Sequence, residues 1–164
     1  EESNYKMTKE NLFKNNIFKP ENIFRIKGEN NPENELIDYN KILKKKLKLE
    51  NNIPKFDLII LGLGDDGHTA SLFPHEFLKF RNKEECIIAT HPTSGQKRIS
   101  LSEKIINNAN EVIFYVPGSG KKYVVDEIIN KKGNFNSYPA TYINPTSGNL
   151  SWYLDSDASD ILTK

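Results

Sequence analysis

The feature of this sequence that most constrains the fold is a short apolar run that ends in glycines. The run is Phe56–Leu61 (FDLIIL), and Gly62–Gly67 (GLGDDG) follows it directly. A continuous apolar run of this length, bounded by glycines, predicts a strand buried on both faces, as in a parallel sheet. Ligands of open α/β sheets bind at the carboxyl ends of such strands. The glycine-rich turn is therefore the first candidate functional site.

Further strands are predicted along the chain, and helices alternate with several of them. The strands are expected at Cys86–Thr90, Arg98–Leu101, Val112–Val116, Ala140–Ile143 and Leu150–Leu154. Helices are expected at Ser102–Ala109, at Lys121–Asn130, and as a short piece after the glycine-rich turn that Pro74 breaks. This alternation predicts an α/β fold with a mainly parallel sheet flanked by helices. No linker composition marks a boundary, so we expect one domain over residues 1–164.

Two helices are predicted before the first strand. Asn31-Pro32 is a start signal for a long helix, in which four apolar residues recur at helical spacing: Leu36, Ile37, Leu43 and Leu47. The neighbouring lysines, Lys44, Lys45, Lys46 and Lys48, are expected on its solvated side. Thr8 is expected to cap a shorter helix that ends before Pro20 and carries Leu12, Phe13 and Ile17.

The composition of the 164 residues excludes several classes of protein. Hydrophobic residues make up 37% of the chain and charged residues 27%, which suits a compact domain with a core. The 23 basic and 22 acidic residues leave a net charge of +1, whereas nucleic-acid and membrane-surface proteins carry a clear basic excess. No apolar run approaches the roughly 20 residues that span a bilayer, and the first residues of the given sequence contain no apolar h-region of a secretory signal. The single cysteine, Cys86, excludes an internal disulfide, so we expect a cytoplasmic protein. From the charge balance and the lack of a long apolar run, we expect neither nucleic-acid nor membrane partners.

Two nucleotide-binding interpretations of the turn are disfavoured by its side chains. The turn fits the G-x-G-x-x-G pattern of dinucleotide sites, but Asp65 and Asp66 place carboxylates where a pyrophosphate would lie. The predicted next strand also ends in Thr90 instead of the acidic residue that holds the ribose. Residues 62–69 nearly fit a triphosphate-binding loop, but His68 occupies the lysine position. A histidine is mostly neutral at pH 7 and does not replace a fixed ammonium.

A third interpretation takes His68 as a general base. The ordinary pKa of histidine suits proton transfer near neutral pH, and Asp66, two residues earlier, is placed to orient the imidazole. The alternative is that Asp66 caps a helix beginning near Gly67 and that His68 is a turn residue. Neither a metal site nor a serine nucleophile is favoured. Ser71 lacks a nucleophile elbow, and no recognised ligand spacing exists among Asp65, Asp66, His68 and His75.

The residues Leu61–Pro74 (LGLGDDGHTASLFP) closely resemble the signature of 6-phosphogluconolactonases, hydrolases that open the lactone of 6-phosphogluconate in the pentose phosphate pathway. Three further segments match in the same order: Arg98–Ser102 with Ile106–Ala109, Val116–Lys121, and Pro139–Thr141 with Trp152 and Asp155. The resemblance implies the fold of glucosamine-6-phosphate deaminases and ribose-5-phosphate isomerases. It also implies an enzyme that uses no metal or organic cofactor.

The resemblance implies roles for six residues. His68 takes a proton from water and Asp66 holds it in place, while backbone N–H groups around Gly64 and Gly67 support the oxyanion. Arg98 and Lys121 match family positions that bind the phosphate of the substrate.

Glucosamine-6-phosphate deaminases share the turn and are the alternative enzyme class. They carry a glutamate where this chain has Phe73, a side chain that does not titrate, so the lactonase is favoured.

The resemblance covers the carboxyl-terminal two thirds of the family, and Glu1–Tyr5 looks like the stretch after its amino-terminal third. Two further expectations follow for a chain of this length: it is inactive, or it is a non-catalytic domain that binds a sugar phosphate. Some protist lactonases are fused to glucose-6-phosphate dehydrogenase, so fusion to or cooperation with that enzyme is also expected as an option.

Overall fold

A computed structural model describes residues 4–14 and 18–162. Within these residues the strands are β1 (Lys48–Glu50), β2 (Ile53–Lys55), β3 (Ile59–Leu61), β4 (Ile87–Thr90), β5 (Lys97–Ser100), β6 (Val112–Val116) and β7 (Leu150–Leu154). The α-helices are α1 (Asn4–Asn11), α2 (Pro32–Lys46), α3 (Pro74–Phe80), α4 (Glu103–Asn107), α5 (Lys122–Ile129) and α6 (Ser156–Ser159). Short 3-10 helices occupy Pro20–Asn22, Ser119–Lys121, Phe135–Ser137 and Pro139–Tyr142.

The centre of the fold is a parallel sheet of three strands in the order β3-β6-β7. Two antiparallel hairpins accompany it, β1 with β2 and β4 with β5. The α/β class and the parallel central sheet were predicted from the sequence and are confirmed. The hairpins were not predicted. Because β3 and β6 are parallel neighbours, the loops at their carboxyl ends lie at the same edge of the sheet.

One face of the central sheet carries the core. Phe114 and Trp152 from neighbouring strands stack there with centroids 4.1 Å apart, and Val125 and Ile128 of α5 join the same cluster. Burying a large apolar side chain of this kind stabilises a fold by about 1.5–3 kcal/mol.

The other face of the sheet is open. Ile60, Tyr115 and Tyr153 lie on it and are 65%, 61% and 56% exposed. The prediction that the Phe56–Leu61 strand is buried on both faces is therefore wrong, because Ile60 alternates to this open side.

The long helix begins where Asn31-Pro32 predicts. The Asn31 side chain accepts a hydrogen bond from the Asn34 N–H at 3.1 Å, and Pro32 occupies the first helical position. Leu43 is buried and the lysines of the last turn are exposed, as expected, but Ile37 is 54% exposed and lies outside the apolar stripe.

Three other local predictions are wrong. Thr8 lies inside α1 and its hydroxyl donates to the Asn4 carbonyl at 2.8 Å, so it does not begin the helix; Ile17 lies outside the described residues. Ala140–Ile143 is not a strand, because Pro139 lacks an N–H and starts a 3-10 helix instead. The segment after the glycine-rich turn is not helical before Pro74, which begins α3 instead of ending a helix.

Cys86 is buried, and burial raises the pKa of its thiol to about 12. Across residues 4–14 and 18–162, every helix is too short or too polar to cross a bilayer.

Candidate active site

The Asp66 carboxylate and the His68 imidazole form the centre of the turn after β3. Asp66 Oδ1 lies 2.6 Å from His68 Nδ1 and also accepts the backbone N–H of His68 at 3.1 Å. No helix begins near Gly67, so the alternative role of Asp66 as a helix cap is wrong. The arrangement brings together the two side chains that the sequence predicts as base and orienting residue.

This contact fixes which imidazole nitrogen faces Asp66. An ionised carboxylate only accepts hydrogen bonds, so His68 Nδ1 is the nitrogen that donates to Asp66, and Nε2 is the nitrogen that Asp66 leaves unengaged. The His68 side chain is 30% exposed and Asp66 is 47% exposed, so solvent reaches the pair. Burial raises the pKa of the Asp66 carboxyl, but the hydrogen bonds and charge of His68 hold that pKa below its ordinary value. Asp66 is thus an anion at neutral pH.

Gly64 leaves the space in which the imidazole lies. A Cβ atom at this position would overlap the His68 ring and approach Asp66 Oδ1 to 2.8 Å. The Gly64 N–H donates to the His68 carbonyl at 2.8 Å, and the Gly67 N–H donates to the Gly64 carbonyl at 3.0 Å. Both N–H groups predicted to support an oxyanion are thus engaged within the turn, and they would reach a ligand only if the turn opened.

Gly67 needs glycine for a different reason. Its φ of +77° lies in the left-handed region, and a Cβ atom would overlap the ring of Tyr138. Tyr138 donates its hydroxyl to Glu127 Oε2 at 2.7 Å, and the Ala140 N–H donates to the Gly67 carbonyl at 3.1 Å. Tyr138 and Ala140 therefore support the turn through contacts with Gly67. Sequence reasoning missed Tyr138 and Glu127, since only the long-range contact reveals them.

Phe73 forms the apolar wall of the site. It is 1% exposed, and its ring centroid lies 4.9 Å from that of His68. His91, which follows β4, meets the same ring edge-on at 5.4 Å, and His75 stacks on it at 6.0 Å. No role is predicted for His91 from the sequence, although its place directly after a predicted strand is a signal for a site position.

Lys121 lies beside the turn, at the neighbouring strand end. Its ammonium forms an ion pair with Asp65, the residue before Asp66. The pair follows from the parallel register of β3 and β6, which brings the two loops to one edge. The Lys121 side chain is 27% exposed and that of Asp65 is 76% exposed.

Arg98 is less closely joined to the turn. Within residues 4–14 and 18–162 its guanidinium has one hydrogen-bond partner, Gln96 Oε1, at 3.3 Å. It shares one face of β5 with Ser100, whose hydroxyl accepts the Ser71 N–H at 3.0 Å. Arg98 is thus on the strand face that meets the segment after His68, but the structure does not bring it into contact with the Asp66–His68 pair.

Ser71 was expected to have no catalytic role. It is buried in a turn closed by a bridge between Thr69 and Leu72, and not in the short helix that was predicted after the glycine-rich turn. Among the described residues, no three His, Cys, Asp or Glu side chains lie close enough together to hold a metal ion.

Comparison with known proteins identifies the family. Residues 1–152 match the family model of glucosamine-6-phosphate isomerases/6-phosphogluconolactonase. A 6-phosphogluconolactonase of Aggregatibacter actinomycetemcomitans is 42% identical over 161 residues, which are 98% of this chain and 67% of that protein.

Solved structures agree with this match. The crystal structure of devB protein superposes with a TM-score of 0.90 at 40% identity, covering 99% of this chain and 68% of that one. A monomeric glucosamine-6-phosphate deaminase, 16% identical over 87% of this chain and 61% of its own, shares the fold with a TM-score of 0.66.

The chain spans between half and about two thirds of the length of such relatives. These comparisons confirm the family and the fold that the sequence predicts. The chain belongs to the family of glucosamine-6-phosphate isomerases and 6-phosphogluconolactonases.

Proposed function

We propose that this protein hydrolyses 6-phospho-D-glucono-1,5-lactone to 6-phosphogluconate. The observation that carries the proposal is the hydrogen-bonded Asp66–His68 pair. The His68 ring lies against Gly64 and contacts the ring of Phe73. The relatives at 36–42% identity that bear the name 6-phosphogluconolactonase support the same reaction class, a carboxylic ester hydrolase.

In the proposed mechanism His68 Nε2 removes a proton from water as the water oxygen attacks the lactone carbonyl carbon. The resulting imidazolium lies beside the tetrahedral oxyanion, and Asp66 stabilises the positive charge. The bond from that carbon to the ring oxygen then breaks. His68 returns the proton to the departing ring oxygen, which becomes a hydroxyl, and the product is a carboxylic acid.

The phosphate of the substrate is proposed to bind Arg98 and Lys121. A guanidinium grips phosphate in a bidentate manner, and an ammonium adds a point charge. The position of Lys121 at the same sheet edge as His68 supports this role, and for Arg98 the support is the face of β5 that it shares with Ser100. In this proposal Gly64 and Gly67 act by shaping the turn on which the substrate rests.

A deaminase or isomerase of sugar phosphates is the second candidate, because the fold is shared with a glucosamine-6-phosphate deaminase. The buried ring of Phe73 against His68 disfavours it, since no carboxylate stands where those enzymes place their glutamate. A fusion to or cooperation with glucose-6-phosphate dehydrogenase stays a prediction.

The test offers two substrates to the longest natural form that contains this sequence. Freshly generated 6-phosphogluconolactone is followed by acid release in a pH-stat, and glucosamine 6-phosphate by release of ammonia. The proposal expects lactone opening above the spontaneous rate and no ammonia. Ammonia release would establish the deaminase, and binding of 6-phosphogluconate without turnover would show a non-catalytic binding domain.

A further inference from the structure

The loop after β6 carries Lys121 but has little packing to hold it. Pro117, Ser119 and Gly120 are exposed, and a Cβ atom added at Gly118 would meet nothing within 4 Å. Gly118 has a φ of +96°, and its carbonyl accepts the Lys121 N–H at 3.3 Å. The position of Gly118 thus sets where the turn containing Lys121 begins.

One side chain from the next strand fixes Gly118. The Gly118 N–H donates to Asp155 Oδ2 at 2.9 Å, while Oδ1 of the same carboxylate accepts the Ala158 N–H at 2.8 Å and caps α6. Asp155 directly follows β7, whose Leu154 pairs with Val116 at the end of β6. A single carboxylate therefore joins the ends of two neighbouring parallel strands.

Hydrogen bonds to a charged acceptor are stronger than neutral ones, so Asp155 is a firm anchor for an otherwise exposed loop. From that anchor the 3-10 turn Ser119–Lys121 extends toward the catalytic turn, where the Lys121 ammonium meets Asp65. The carboxyl ends of β3, β6 and β7 thus each contribute one part: the base, the cation and the anchor of that cation.

We propose that Asp155 is a positioning residue for substrate binding, which holds the Gly118 loop so that Lys121 faces the phosphate of the substrate. This proposal rests on the phosphate-binding role proposed for Lys121. Asp155 does not touch the reacting atoms, so it acts on the binding of the phosphorylated substrate and not on the chemical step.

The test separates the anchor from the helix cap. Asp155→Ser keeps a good N-cap for α6 but removes the second oxygen that Gly118 requires. We expect the KM for 6-phosphogluconolactone to rise about 3- to 10-fold with kcat within about twofold, since Lys121, a uniform binding contact, is no longer held in place. Asp155→Asn, also a good N-cap with a single acceptor oxygen, is expected to shift KM in the same direction.

Asn31→Ala is the matched control, because it removes the side-chain cap of α2, far along the chain from the Lys121 loop. It is expected to lower the melting temperature and leave KM unchanged. An unchanged KM in both Asp155 variants, or a fall in kcat alone, would overturn the proposal.

Amide hydrogen exchange keeps the proposal testable apart from turnover. Asp155→Ser is expected to speed exchange of the Gly118 N–H by about 10-fold or more while Asn31→Ala does not, since loss of a hydrogen bond frees the amide. Unchanged exchange at Gly118 contradicts the anchor even if the enzyme is active. Suppose that Gly118 exchanges faster in Asp155→Ser but the unaltered protein opens no lactone. The proposed function, and with it the binding role of Asp155, would then be overturned, and only the anchoring contact would be supported.

Discussion

The turn after β3 and the loop after β6 lie side by side, but they are held in place in different ways. The turn is fixed by close packing, because Gly64 lies against the His68 ring and Gly67 against Tyr138. The loop is exposed, and its Lys121 depends on an ion pair with Asp65 and on the anchor at Gly118. Close packing therefore fixes the proposed base, whereas hydrogen bonds and an ion pair hold Lys121, the proposed phosphate-binding cation of the loop.

The largest expected effect comes from filling the space under the imidazole. Gly64→Ala places a methyl group where the His68 ring lies, so we expect activity to fall about 10²- to 10⁴-fold, the range for losing a general base. Gly62→Ala is the control, because a Cβ there meets nothing within 4 Å. Steady-state rates on the lactone compare the two, and equal activity would show that the turn is not held by this packing.

A smaller effect is expected at Arg98, which lies in the β4–β5 hairpin. Arg98→Ala removes a guanidinium from the proposed phosphate site, so KM should rise about 10- to 100-fold with little change in kcat. Lys97→Ala is the control, since Lys97 is the adjacent cation on β5 and its ammonium donates a hydrogen bond to the Thr90 hydroxyl. If both variants bind the lactone equally well in initial-rate measurements, Arg98 is only a surface charge.

Lys121→Ala is expected to raise KM by about 10-fold. The effect is smaller than at Arg98 because the ion pair with Asp65 already balances part of the Lys121 charge. Lys122→Ala serves as control, since Lys122 pairs with Asp160. The measurement is the same substrate titration, repeated at low and high salt. A KM that rises no more than in the control would remove Lys121 from the proposed phosphate site.

The smallest effect is expected at Asp65. Asp65→Asn frees the Lys121 ammonium, so KM should fall about two- to threefold at low salt, and the gain should shrink as salt screens the exposed pair. A rise in KM would mean instead that Asp65 holds Lys121 in its productive place, and the loop would then be as preorganised as the turn.

The contrast also explains what the sequence could predict. β6 and β7 appear at the predicted residues, because apolar runs between turn residues are local signals. The Asp66–His68 contact was predicted because it spans two residues. Motif resemblance identified the family.

The errors have a common cause, which is tertiary context. Ile60 is as apolar as its neighbours, and only the arrangement of the sheet decides that it is exposed. Tyr138 supports Gly67 across 71 positions of sequence, and Asp155 reaches Gly118 across 37. Such contacts depend on which strands become neighbours, which no local pattern encodes.

The most direct test of the central claim is the rate of 6-phosphogluconolactone opening by the unaltered protein and by His68→Ala, each corrected for spontaneous hydrolysis. We predict acceleration by the unaltered protein and a loss of about 10²- to 10⁴-fold in the variant, whose fold is checked by thermal unfolding. Full acceleration by a folded His68→Ala protein would contradict the claim that this imidazole is the base.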